Sequence, residues 1–268
     1  MKDILVTGAG GGMCRAVVGL LARRGYRVFA LDRAPCPEGD NVVCLTADVT
    51  DEASVAAAFD AVRGETSALC GIVHLAGTYL LDSLAEVSPE AFERAFRVNL
   101  GGAYLVNRTF LPLLHKGARV VTVTSELAVR DPLPFTGIYE ITKAALDRYA
   151  YSLRMEWQLL GIDVSVLRAG AVDTGMLGES TRQLEAFCDH TALYRCNAER
   201  FAAIVDRVEA RRVPPEKVAE KLLRILGARR PKFAYSINRN PLLILFDLLP
   251  KRWRFGIIRR VLREQKRT

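Results

Sequence analysis

Six short apolar runs, at residues 4–7, 28–31, 42–45, 71–75, 120–124 and 164–167, punctuate the first 170 residues. Their β-branched, nearly unbroken apolar character suits strands buried on both faces. Between them lie stretches of helical spacing, at about 12–24, 51–63, 88–115 and 138–160. In the first, Val17, Leu20 and Leu21 make the i, i+3, i+4 stripe of a helix packed on a sheet. Parallel strands need a crossover between them, and a helix is the usual one. The alternation therefore predicts an α/β fold: a doubly wound parallel sheet of about seven strands, with helices on both faces. No repeat or low-complexity linker interrupts it, so the 268 residues are expected to form a single Rossmann-type domain.

The later part of the chain is built differently. Residues 175–213 are rich in charge and lack strand runs, as a helical lid would. Pro214-Pro215 opens a helix through Leu226, and 233–236 reads as a last strand. From 241 to 268 the chain is first apolar, then basic and amphipathic. Residues 211–268 carry 17 Lys/Arg against 4 Asp/Glu, whereas the rest carries 21 against 26. The net charge of +8 thus describes one end, which argues against a nucleic-acid partner. Trp253, Ile257, Ile258, Val261 and Leu262 share one helical face, with Arg252, Arg259, Arg260 and Arg263 largely elsewhere. Two readings stay open for this extension: a helix closing a substrate pocket or packing on a neighbouring subunit, and peripheral contact with a membrane.

No run approaches the roughly 18 apolar residues that span a bilayer. The chain enters its first strand run by residue 4, leaving no room for a signal peptide, and a cytoplasmic location is expected. The six cysteines include no Cys-x-x-Cys and are expected to be reduced, buried small hydrophobes; Cys188 and Cys196 are the one pair close in sequence. His74, His115 and His190 lack ligand spacing with them, so no metal is expected.

Chemistry enters at Thr7-Gly8-Ala9-Gly10-Gly11-Gly12-Met13, between the first strand and the first helix. Glycines there permit a tight turn and let backbone approach a pyrophosphate at a helix N-terminus, where N–H groups and the dipole favour anions. About twenty residues on, the second strand ends at Asp32-Arg33. A carboxylate in that place accepts from both ribose hydroxyls and repels a 2′-phosphate, which favours NAD. Arg33 is the counter-signal, since a guanidinium can greet a phosphate and leaves NADP as the alternative.

With these residues the chain resembles the short-chain dehydrogenase/reductases, from residue 3 to about residue 177. Thr7-Gly8-x-x-x-Gly12-Met13 is similar to the family's Thr-Gly-x-x-x-Gly-Ile-Gly, with Cys14 in place of the last glycine. Asp48-Val49 matches the pair that touches adenine. His74-Leu75-Ala76-Gly77 stands for Asn-Asn-Ala-Gly and keeps the Ala76-Gly77 half. Asn99 behind Val98, Ser125 at the end of the fifth strand, and Tyr139-x-x-x-Lys143 complete the catalytic pattern. Ala169-Gly170-Ala171-Val172-Asp173-Thr174 resembles Pro-Gly-x-x-x-Thr without its proline. The resemblance implies that Asn99 positions a water in a proton relay through Lys143, and that Val172 and Thr174 hold the nicotinamide. It also implies a homo-oligomer. The extension is similar to those of hydroxysteroid and retinol dehydrogenases, whose substrates are membrane-soluble.

The residues make a physical case of their own. Tyr139 and Lys143, four apart, project from one helix face. An ammonium beside a phenol favours the phenolate, giving a base that can take an alcohol proton as hydride departs. Ser125 would hold the substrate oxygen. A lone Tyr-x-x-x-Lys is a common surface coincidence; the constellation carries the assignment. Glu126 and Glu140 read as solvent-facing or helix-end charges, with recognition of a polar substrate group as the alternative. Leu127, Val129, Leu133 and Phe135, with Met176 and Leu177 at the start of the lid, are expected to border the substrate, and their apolar character favours a lipophilic, steroid-like alcohol or ketone. A non-catalytic dinucleotide sensor or scaffold is the reading from another class, though such proteins commonly lose the Tyr or Lys kept here.

Overall fold

The computed structural model describes residues 2–36, 38–208 and 212–263, apart from the side chains of 175–180 and 205–208. Seven strands form one sheet in the order β3-β2-β1-β4-β5-β6-β7, with every neighbouring pair parallel. They are β1 (Lys2–Thr7), β2 (Tyr26–Asp32), β3 (Val42–Thr46), β4 (Leu69–His74), β5 (Leu114–Ser125), β6 (Asp163–Ala169) and β7 (Ala234–Ile237). The chain winds outward from β1 to β3, then returns to β1's other side and winds on to β7. The reversal leaves a crevice beyond the carboxyl ends of β1 and β4, where Thr7 pairs with His74.

Alternation along the strands divides the core. Leu5, Phe29 and Leu31 face one side, against Val55 and Val62 of α2 (Glu52–Glu65), Val106 and Phe110 of α4 (Gly102–Phe110), and Ala150 and Leu153 of α5 (Gly137–Trp157). Ile4, Val6, Val28 and Ala30 face the other, against Val17, Val18 and Leu21 of α1 (Gly12–Arg23) and Val218, Leu222 and Ile225 of α8 (Pro215–Gly227). Each such fully buried aliphatic or aromatic side chain contributes about 1.5–3 kcal/mol, so this double burial dominates the fold's stability. It also fixes the strand ends that carry the polar residues below.

Three local expectations are corrected. The helix read over 88–115 is α3 (Pro89–Phe96), a π-helical turn (Arg97–Gly101), α4 and a 3₁₀ turn (Leu111–Leu113), and Leu114 already belongs to β5. The last strand begins one residue later than its apolar run. Among the cysteines, Cys14 is buried, but Cys44 and Cys196 are exposed; no disulfide forms among the described residues.

The stretch expected to form a lid folds as α6 (Gly175–His190) and α7 (Arg195–Val208). Leu184, Phe187, Ala198 and Phe201 pack with Leu81 and Leu262 in a third cluster. Gln183 fastens α6 by accepting from Leu81 N at 3.0 Å and donating to Tyr79 O at 2.8 Å. Glu86 accepts from Thr191 Oγ1, Ala192 N and Leu193 N at the α6–α7 turn, closing its open donors. The extension folds as α9 (Pro241–Asp247) and α10 (Lys251–Leu262), and α10 packs on α7. No described helix is long and apolar enough to cross a membrane.

Candidate active site

One cavity of about 710 Å³ runs from the glycine turn to the lid, a size in the range of pockets that enclose small organic ligands. Its floor at one end is the β1–α1 turn. Gly8 has φ +75°, and a Cβ there would lie 2.5 Å from Ala76 N, so both conformation and space demand glycine. Its N–H and that of Ala9 donate to Leu31 O, tying the turn to the end of β2. The carboxylate of Asp32 accepts from Gly10 N and from Ala34 N, each at 2.9 Å, which holds it over the turn. No side chain caps α1 at Gly11. The helix therefore opens with donors and a positive dipole end on the cavity, beside Gly12 and Met13 in its wall.

Asp48, Val49, Ala76 and Gly77 line the same end. Asp48 Oδ1 accepts from the Thr50 N–H and hydroxyl, and Arg33 Nη1 lies 3.7 Å from Asp48 Oδ2. Arg33 thus faces a carboxylate across the cavity edge. Together, a glycine cradle that a Cβ would fill, an uncapped helix start and a carboxylate at the end of β2 fit a nicotinamide dinucleotide.

The middle of the cavity holds the sequence-identified Ser125, Tyr139 and Lys143. Ser125 ends β5, and its Oγ accepts from Leu127 N at 3.1 Å, capping the 3₁₀ turn Glu126–Val129. The hydroxyl hydrogen remains to donate elsewhere. Tyr139 and Lys143 stand one turn apart on α5, with Lys143 Nζ 5.8 Å from the centre of the Tyr139 ring. Lys143 is buried and donates to Val123 O at 3.4 Å; burial pulls its ammonium down to about 8. Gly77 permits this placement, since a Cβ there would stand 3.2 Å from Lys143 Nζ. The Tyr139 ring also meets the Tyr79 ring, centroids 4.8 Å apart.

Asn99 is buried in the π-helical turn, beside the cavity-lining Val98. Its Oδ1 accepts from Thr78 N at 2.7 Å, and its Nδ2 donates to Thr78 O at 3.0 Å and to Thr142 Oγ1 at 2.8 Å. Thr142 in turn donates to Tyr139 O at 2.8 Å. Asn99 therefore stitches the loop after β4 to the helix turn that presents Tyr139. His74, where the family pattern has asparagine, is buried beside Asn107 Oδ1 at 2.9 Å; burial pushes it down to about 4, so it packs as a neutral ring.

Glu126 and Glu140 stand in first helical turns, as expected of helix-end charges, and both line the cavity; the solvent-facing part of the expectation is overturned. Both are buried. Glu140 Oε1 accepts from the Thr136 hydroxyl and from Leu133 N, Oε2 has no hydrogen-bond partner among the described residues, and burial pushes the carboxyl up to about 7. Glu126 Oε2 accepts from Asn240 N at 2.8 Å and lies 3.6 Å from Arg130. Arg130 also pairs with Asp247, and Arg254 pairs with Asp131 at 2.8 Å and Asp247 at 3.5 Å. This network binds α9 and α10 to the segments that carry Ser125 and Tyr139.

Of the residues expected to border the substrate, Leu127 and Leu133 line the cavity, as do Val172 and Thr174 on the β6 side. Phe135 does not. Its backbone is left-handed (φ +67°), and its ring packs against Phe187, Tyr194 and Phe201 beneath the lid. Val129 is exposed outside the cavity. The side chains of Met176 and Leu177 lie outside the described residues. Residues not foreseen take their places: Tyr79, Phe201, Ile204, Asn238, Asn240 and Leu243. Asn240-Pro241 did carry a signal, an N-cap followed by a first-turn proline, and Asn240 Oδ1 does accept from Leu242 N at 2.9 Å.

Comparison with known proteins accords with this geometry. Residues 2–185 match the short chain dehydrogenase family. A 3-ketodihydrosphingosine reductase of Bacteroides thetaiotaomicron is 24% identical over 93% of this chain and 92% of its own. The 2,3-dihydro-2,3-dihydroxybenzoate dehydrogenase of Escherichia coli is 32% identical over 65% of this chain and 71% of its own. The solved structure of a short chain dehydrogenase family protein from Francisella tularensis superposes with a TM-score of 0.74 at 21% identity, covering 88% of this chain and 97% of that one. A glycine turn under a β2 carboxylate, a Tyr–Lys helix turn facing it across one cavity, and a family match over both place this chain in the short-chain dehydrogenase family of oxidoreductases.

Proposed function

We propose that this protein interconverts a secondary alcohol and a ketone on a lipophilic, steroid-like substrate, using NAD, with Tyr139 as acid and base. The observation that carries the reading is the buried Lys143 ammonium beneath Tyr139, on the same cavity as the glycine turn and Asp32. When bound, the dinucleotide supplies or accepts the hydride. Tyr139 gives its phenolic proton to the carbonyl oxygen in reduction and takes the hydroxyl proton in oxidation. Lys143, with a pKa of about 8, carries its charge at neutral pH and favours the phenolate. Ser125 donates to the substrate oxygen and stabilises charge developing there. Asn99 acts through Thr78 and Thr142 as a positioning residue, because both ends of its amide are already engaged.

Asp32 supports NAD: its carboxylate lines the glycine-turn end of the cavity, and a charge there would accept from ribose hydroxyls and repel a 2′-phosphate. Leu127, Leu133, Leu243, Phe201 and Ile204 give the substrate end apolar walls that suit a lipophilic body, with Glu126, Glu140, Asn238 and Asn240 as the polar groups among them. The near full-length likeness to a 3-ketodihydrosphingosine reductase points the same way.

Arg33, half-turned to solvent at the cavity edge, favours a second reading, an NADP-dependent carbonyl reductase. Titration of the protein with both dinucleotides decides between them; tight preference for the phosphorylated form overturns the role given to Asp32. For the chemistry, single-turnover absorbance of the reduced cofactor is followed with a panel of steroids and long-chain alcohols. Tyr139→Phe is expected to lose about 10²–10⁴-fold in rate while keeping dinucleotide affinity. Equal turnover by the variant, or activity confined to sugars, refutes the assignment.

A further inference from the structure

We infer that the exposed faces of α9 and α10 form a docking surface for an anionic lipid bilayer, beside the cavity that Leu243 lines. The amphipathic face of α10 is wider than the protein covers. Ile258 and Leu262 pack on the lid, where Leu262 O accepts from Asn197 Nδ2 at 2.6 Å. The adjoining ridge of Trp253, Ile257 and Val261, at i, i+4 and i+8, is turned to solvent, with Trp253 63% exposed. Phe255 on the opposite flank is 70% exposed. On α9 and its end, Leu242, Leu245 and Leu248 are exposed at three-residue spacing, while Leu243 between them lines the cavity.

Charge selects the occupant. Arg252, Arg259, Arg260 and Arg263 are exposed around the apolar ridge, while Lys251 is exposed but paired with Asp131 at 3.4 Å. From 238 to 263 the only acidic residue is Asp247, and it is engaged by Arg130 and Arg254. A second copy of this chain would bring the same uncompensated cations against the face. Nucleic acid would leave the leucines, Trp253 and Ile257 uncovered. A bilayer with anionic headgroups satisfies both: acyl boundary for the aromatic and aliphatic side chains, phosphates for the guanidinium groups.

Both helices are also tied to the site. Arg130 with Asp247, Arg254 with Asp131, and Glu126 with Asn240 N join them to the segments that follow Ser125 and precede Tyr139. Docking would therefore present the Leu243 side of the cavity to the membrane, a route for an apolar substrate to enter without crossing water. That use rests on the lipophilic reading above; the docking does not.

Co-sedimentation of the full chain with phosphatidylcholine vesicles, with and without about one-third phosphatidylglycerol, tests the surface without cofactor or substrate. Expected are about tenfold or stronger partitioning onto the anionic vesicles, weakened by salt, and a blue shift of tryptophan emission from Trp253, since Trp157 is already buried. The double variant Trp253→Glu/Ile257→Glu should lose binding about tenfold, and Arg259→Gln/Arg260→Gln several-fold with a flatter salt dependence. All four side chains are exposed, and an unchanged melting temperature verifies folding. No binding, equal binding to both vesicle types, or binding indifferent to both variants overturns the inference. So does a dimer in sedimentation velocity that the Trp253→Glu/Ile257→Glu variant dissolves.

Discussion

The two ends of the cavity are made by different means. At the dinucleotide end, backbone does the shaping: Gly8 in a left-handed turn, the Gly10 and Ala34 amides on Asp32, the open start of α1. The parts come from neighbouring strand ends and need only be small. At the substrate end, side-chain ions do the shaping. Glu126, Arg130, Asp131, Asp247 and Arg254 join the segment after β5 to α9 and α10, with Glu140 buried beside them. The first kind of wall is indifferent to which ligand body lies on it. The second commits free energy to desolvated charge, and so is vulnerable both to mutation and to pH.

Four substitutions put this contrast to the test. The largest effect is expected for Arg130→Met, which strips buried Glu126 of its cation and leaves Asp247 to Arg254 alone; breaking a buried ionic partnership costs about 3–5 kcal/mol. Urea unfolding of the variant reads it directly, and a loss below about 1 kcal/mol would mean that the network is not what holds α9 and α10. Next is Glu140→Gln. Because burial raises the folded-state pKa of Glu140 to about 7, its stability contribution is full below its ordinary value of 4.5 and is lost as pH rises through about 7. The wild type should therefore forfeit on the order of 3 kcal/mol from this group between pH 4.5 and 8, and the glutamine variant should not. Superimposable stability–pH curves for the two proteins would refute the buried titration.

At the dinucleotide end the response should move from stability to selectivity. Asp32→Asn keeps an acceptor for the turn but removes the charge; the ratio of NAD to NADP affinity is expected to fall about tenfold, near 1.4 kcal/mol, with little change in melting temperature. An unaltered preference in a dinucleotide titration would take specificity away from this residue. The smallest effect is expected for Gln183→Ala, which releases α6 from Tyr79 and Leu81 at about 1 kcal/mol and raises KM more than it lowers kcat. A fall in kcat alone would place the lid in the chemistry.

The same contrast explains what is legible in the sequence. The strands, the glycine turn, Asp32 and the Tyr139–Lys143 pair are each set by spacing within one element or across one βα unit. Hydrophobic period and motif therefore suffice to find them. Glu126 reaches Asn240 across 114 residues, Arg130 reaches Asp247 across 117, and Gln183 reaches Leu81 across 102. A buried glutamate whose partners lie that far off looks, in one dimension, like any helix-end charge. Phe135 misleads for a related reason: it sits in a Pro-rich loop beside Tyr139, but its left-handed backbone sends the ring under the lid instead of into the cavity. A 3.6-residue period also runs smoothly through residues 88–110 and conceals the π-helical turn.

That turn has a genetic consequence. The Gly102 amide reaches back five residues to Arg97 O, so the stretch between Phe96 and Gly102 holds one residue more than a straight α-helical rod would use. Deleting a single codon there would leave a perfectly good helix by every local criterion. It would also swing the amide of Asn99 roughly 100° away from Thr78 and Thr142. The insertion is thus the price in chain length of one correctly aimed side chain, and this short stretch should be among the least forgiving of length change in the whole molecule.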